Sequence, residues 1–126
     1  MTEAPDTPLG PLGEILGLGV DDPEFPPDEI VVWAARANRF QGIRAVGGRI
    51  YLTDRRLVFT PNNFEGNVAG RAWSAPLADF ERAFYKGPMK TVRVVYKTGG
   101  EEKFVISPRE GSAERIDQAI KAASGD

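Results

Sequence analysis

The sequence predicts a mainly β fold, a seven-stranded antiparallel barrel or two-sheet sandwich capped by one C-terminal α-helix. Three observations lead there. Apolar residues recur every second position in short runs between residues 30 and 106, glycine and proline break those runs, and after Pro108 the period lengthens to that of a helix.

Residues 1–27 hold six of the ten prolines (Pro5, Pro8, Pro11, Pro23, Pro26, Pro27), which excludes a long helix or a central strand there. This segment is expected to be an acidic, loosely ordered tail ahead of a folded domain at 28–126. A second arrangement would lay the apolar residues of 9–20 on the barrel, with the acids over its basic surface.

The first strand is expected at 30–37, where Ile30, Val31, Val32 and Trp33 are β-favouring. A connection over 38–46 would lead to a hairpin at 47–60. In that hairpin Ile50, Leu52, Leu57 and Phe59 fall on one face, while Arg49, Tyr51 and Thr53 fall on the other. Residues 61–67 read as an exposed loop rich in turn formers. Further strands are expected at 71–76, 80–85, 92–97 and 102–106, with Gly99 and Gly100 closing the last hairpin and Gly47 and Gly48 also serving a turn. Ile116, Ala119, Ile120 and Ala123 then mark one face of a helix. It would begin either at a cap over 107–110 or at Ser112, and stop at Gly125.

The net charge of −2 conceals a polarity along the chain. Residues 1–29 carry eight acids and no base, whereas residues 30–97 carry twelve bases and four acids, so a basic domain follows an acidic tail. Cysteine and histidine are both absent. That removes disulfides, thiolate and imidazole metal sites, and every nucleophile system that needs either residue. Asp79 and Glu81 could form a carboxylate pair but are better explained as an exposed strand end. The acids at 21–24 and 28–29 lack the spacing of a calcium loop. No metal, cofactor or catalytic residue is expected, and no run of about 20 apolar residues is present.

The run Gly47-Gly48-Arg49-Ile50-Tyr51-Leu52-Thr53-Asp54-Arg55-Arg56-Leu57-Val58-Phe59 resembles the core of GRAM domains, members of the PH-domain-like superfamily. The resemblance extends more loosely over 28–123. It implies a non-enzymatic, cytoplasmic binding module, peripheral at the inner membrane surface where it meets lipid. It also points to the first inter-strand loop as the place of a headgroup site, here Arg39, Phe40, Ile43 and Arg44. The arginines would meet phosphate and the apolar pair the headgroup layer, unless Phe40 and Ile43 simply extend the strands into the core. The expected partner is therefore an anionic membrane lipid, or alternatively a protein that uses a strand edge or groove of the same fold. Nucleic acid is not expected, because neither a recognition motif nor a stacking platform is evident.

Overall fold

Seven antiparallel strands form two meanders, one of β1 (Val31–Gln41), β2 (Arg44–Thr53), β3 (Arg56–Pro61) and β4 (Trp73–Pro76), the other of β5 (Phe80–Lys86), β6 (Thr91–Tyr96) and β7 (Glu101–Ser107), followed by the helix α1 (Ser112–Ala123). The computed structural model describes residues 25–62 and 72–125, so the expectations for 1–24 and 63–71 lie outside the described residues. Strand order is β4-β3-β2-β1-β7-β6-β5, in which the pairing of β1 with β7 curls the sheet into a half-barrel. Helix α1 packs mainly on β5 and on the 3-10 turn Leu77–Asp79 that joins β4 to β5.

The inward faces follow the period-two reading. Ile50, Leu52, Leu57 and Phe59 are fully buried, and they meet Phe80, Val92, Val94 and Phe104 from the other half of the sheet. Ile116 and Ile120 bring the apolar stripe of α1 onto the same core. Burial of each such side chain stabilises the fold by about 1.5–3 kcal/mol, an upper figure because unfolded chains already bury some surface.

The connection expected over 38–46 is absent. Both strands continue through it, with Asn38 opposite Gly47 and Gln41 opposite Arg44, and only Gly42 and Ile43 form the turn. A positive φ of 66° at Gly42 but not at Ile43 is the two-residue type II′ pattern, which matches the twist of paired strands. Gly47 and Gly48 therefore lie inside β2 rather than in a turn. Gly48 is required by closeness: a Cβ there would stand 2.1 Å from the Thr60 carbonyl oxygen on β3. Gly99 and Gly100, with φ of 99° and 87°, do form the expected hairpin turn.

Helix α1 starts at Ser112, the second of the two starts the sequence allowed, because Gly111 takes a left-handed conformation just ahead of it. No side chain caps that end from within the helix. Tyr85 of β5 supplies the contacts instead: its hydroxyl lies 2.8 Å from the Arg109 carbonyl oxygen and 2.9 Å from Glu114 Oε1, and the Ala113 amide donates to it at 3.3 Å.

Candidate functional site

The four residues expected to meet a ligand all come from the β1–β2 hairpin, but the structure places them in three different settings. β alternation turns Arg39 inward, into the mouth of the half-barrel. There its guanidinium stacks 4.8 Å from the centre of the Trp73 ring, with Nε 3.2 Å and a terminal nitrogen 3.0 Å from Glu102 Oε1. Both side chains are about one-seventh exposed, at 15% and 14%. Tyr96 donates its hydroxyl to the other oxygen of Glu102 at 2.6 Å. Burial, followed by that bond to the Glu102 carboxylate, raises the Tyr96 pKa well above the ordinary tyrosine value. Arg39 is thus a neutralised brace holding β1, β4, β6 and β7 together.

Phe40 takes the opposite face of β1 and is half-buried, while Ile43 and Arg44 stand at the tip. Ile43 is fully exposed, at 103% of its reference area, and so does not extend a strand into the core. Arg44 beside it is exposed and opposes Gln41 across the turn. The hairpin tip thus brings together one apolar side chain and one guanidinium, rather than two of each. Glu102 completes the mouth and lies outside the expected site residues. The inward alternation of Phe104 and Ile106 along β7 already placed an acid at 102 on the core side, facing whatever base the mouth contained.

Two other features border the half-barrel. A groove of about 440 Å³ runs between α1 and the strands, floored by Trp33 and Leu52 and walled by Ala119 and Ala122. Arg115 reaches over the Trp33 ring at 6.0 Å, and Ile30 and Val32 near this groove are exposed. On the convex face, Arg55 and Arg56 lock the approaching chain. Arg55 pairs with Asp28 at 2.7 Å and Arg56 with Glu29 at 2.9 Å, and Phe25 packs edge-on against Tyr51 with ring centres 5.8 Å apart. The Arg55 hydrogen bond and charge hold the Asp28 carboxyl below its usual range.

Asp79 and Glu81 are exposed, one in the 3-10 turn and the other on β5. Among the described residues, no three acidic, histidine or cysteine side chains are grouped to hold a metal ion. No helix among them is long and apolar enough to cross a membrane.

No family model and no curated protein match the sequence. Solved structures do. The Vps36 N-terminal PH domain is similar with a TM-score of 0.65 at 14% identity, over 86% of this chain and 90% of that one. The PH domain of human oxysterol binding protein-related protein 11 gives 0.59 at 12% identity, over 83% and 90%. The hSac2 domain of the human phosphoinositide phosphatase Sac2 gives 0.50 at 12%, over 97% and 82%. At such identities the likeness is one of fold, and the fold of this chain is PH-like.

Proposed function

We propose that the domain is a non-catalytic binding module of the GRAM type that docks peripherally on the cytoplasmic face of an anionic membrane through the β1–β2 tip. The observation that carries this reading is Ile43, a large apolar side chain held wholly in solvent in a two-residue turn with Arg44 beside it. Arg39 serves the site indirectly, as the brace that fixes the hairpin. The resemblance of residues 47–59 to GRAM domains and the PH-like fold support the same class of role.

The contact is weak by construction. Burying Ile43 is worth about 1.5–3 kcal/mol and one arginine near an anionic surface about 1 kcal/mol. A total of about 4 kcal/mol corresponds to millimolar affinity, so recruitment depends on several copies or a second contact. Sedimentation with phosphatidylcholine vesicles, with and without phosphatidylserine, tests the proposal. Because one copy binds too weakly to pellet, the domain is fused to a dimerising tag. The wild-type fusion should pellet with the anionic vesicles alone, and the Ile43→Asp fusion should stay in the supernatant while remaining folded. Equal pelleting of the two proteins would remove the tip from the account.

The groove beside α1 favours a second reading, a protein-interaction module that receives an apolar segment over Trp33. Failure of the wild-type protein to pellet, together with loss of partner capture on Ala119→Arg, would favour it.

A further inference from the structure

On the convex face the β1–β2 ladder sets two arginines against each other, with Arg36 directly opposite Arg49. Gln41 and Arg44 close the two-residue turn and exchange backbone bonds, so every second pair beyond them does the same and the pair 36/49 does not. The Gly47 carbonyl, in phase with Arg49, accordingly accepts from Asn62 at the end of β3. In a pair of this kind the Cα atoms are about 4.5 Å apart, and like charges directly opposite destabilise a sheet.

Other arginines of the domain are answered: Arg39, Arg55, Arg56 and Arg93 each pair with a carboxylate. Arg36 and Arg49 have no ion pair among the described residues. Strands β1, β2 and β3 contain no Asp or Glu, and β7 ends beside Arg36 in Ser107, with its own acids at its far end. Arg49 is 7% exposed, and its Nε is buried without a hydrogen-bond partner. Thr60, opposite Arg49 on β3, is 4% exposed, and its Oγ1 is likewise without a partner. An unpaired buried donor keeps its full desolvation penalty, so this place favours an anion.

Across four strands the row reads Thr60, Arg49, Arg36, Ser107, two guanidiniums flanked by two hydroxyls. Arg36 and Ser107 are exposed, so the row opens to solvent at that end. A lone carboxylate has one negative charge for the two guanidiniums. A phosphomonoester has about −1.5 to −2 near neutral pH and three acceptor oxygens, enough for both arginines and the threonine. The position of the row separates a free ligand from a lipid headgroup. Arg36 lies six residues before Gly42 of the turn, about 20 Å at the usual strand rise. The headgroup region of a bilayer is only about 5–8 Å deep. A hairpin that meets a membrane with its tip therefore holds this row clear of the surface.

We propose that Arg36 and Arg49, with the Thr60 hydroxyl, clamp the phosphate group of a soluble phosphomonoester on the convex face of the sheet. This site is separate from the hairpin tip and stands or falls independently of it.

The test uses the full chain, with glycerol 3-phosphate as the probe and sodium chloride at matched ionic strength as the control. At fivefold over its dissociation constant the probe should raise the melting temperature by about 4–8 °C. It should leave Arg36→Gln unmoved, a variant whose altered side chain is exposed. No rise, an equal rise in the variant, or an equal rise with sodium chloride, which only screens the two charges, would overturn the proposal. A measurement on the unaltered protein guards against a poorly folded variant: the Arg49 Nε proton should shift and exchange more slowly with solvent as the probe is added. An unchanged Arg49 signal would be contrary evidence. Phosphatidylcholine vesicles containing phosphatidylinositol 4-phosphate, offered to Ile43→Asp protein so that the tip is disabled, should leave the melting temperature where it was. A rise that Arg36→Gln abolishes would give the phosphate to a lipid headgroup and overturn the soluble source.

Discussion

Replacing Glu29 with glutamine removes one charge from a contact whose geometry allows its cost to be worked out. Glu29 has only 2% of its side chain exposed and accepts three hydrogen bonds: Thr53 Oγ1 at 2.6 Å, Arg56 Nε at 2.9 Å and a terminal Arg56 nitrogen at 3.1 Å. Breaking a fully buried ion pair costs about 3–5 kcal/mol, but the Arg56 side chain is 31% exposed and recovers water when its partner is neutral. A charge-assisted hydrogen bond contributes about 1.5–3 kcal/mol, and glutamine keeps one acceptor. The expected loss is therefore about 2 kcal/mol, or about 8–16 °C in melting temperature for a domain of this size. Burial raises the Glu29 carboxyl pKa, yet the bonds from Arg56 and Thr53 and the nearby charges outweigh it and hold the group below its ordinary value of 4.5. A depressed carboxyl contributes stability that is full above the ordinary value and is lost as pH falls through the folded one. The gap between wild type and Glu29→Gln should accordingly be widest near neutral pH and close in acid below 4.5. Urea melts of both proteins from neutral pH downwards measure it. A loss under about 0.5 kcal/mol at neutral pH, the worth of an exposed pair, would refute the reasoning.

Gly48→Ala should cost more than about 2 kcal/mol, since its Cβ would press on backbone atoms of β3 that no rotamer change can move; a near-normal urea midpoint would refute that. Arg39→Ala should destabilise the fold by about 2 kcal/mol by leaving the Glu102 carboxylate unpaired, and adding Glu102→Gln should restore part of the loss in thermal melts. Ile43→Asp should leave thermal stability within about 0.5 kcal/mol of the wild type, because the side chain touches no core, so that any loss of vesicle binding reads the surface alone.

The meander was legible because the hairpin from Gly48 to Pro61 alternates so regularly that its inward face, Ile50 to Phe59, needs no tertiary information. The length of β1 was not. Asn38, Arg39 and Gln41 look like loop residues, and Arg39 enters the mouth only because Glu102, 63 positions away, answers it. The twin glycines at 47 and 48 misled for a related reason. Glycine fits a turn or a close backbone approach equally well, and only the position of Thr60 on β3 decides between them. The candidate site was legible in location but not in composition, since local sequence cannot tell that the Arg39 guanidinium turns inward to Glu102 rather than to the surface. Arg55 and Arg56 lie in the hairpin, yet their partners are the incoming acids Asp28 and Glu29, which local sequence does not pair with them.

At the sheet's two rims, β4 and β5 each have a side with no strand beside it among the described residues. On β5 the Ala83 amide is held by Asp117 Oδ1 of α1 at 2.9 Å, and Asp117 is itself paired with Lys121. Desolvation raises the Asp117 carboxyl pKa, but Lys121 and the amide outweigh it and keep the group ionised well into acid. On the other rim β4 is four residues long and ends in Pro76, which has no amide hydrogen to offer. Neither border makes a good template for a neighbouring molecule to zip onto. Copies of the domain held close together can therefore pack densely without their sheets fusing into fibres.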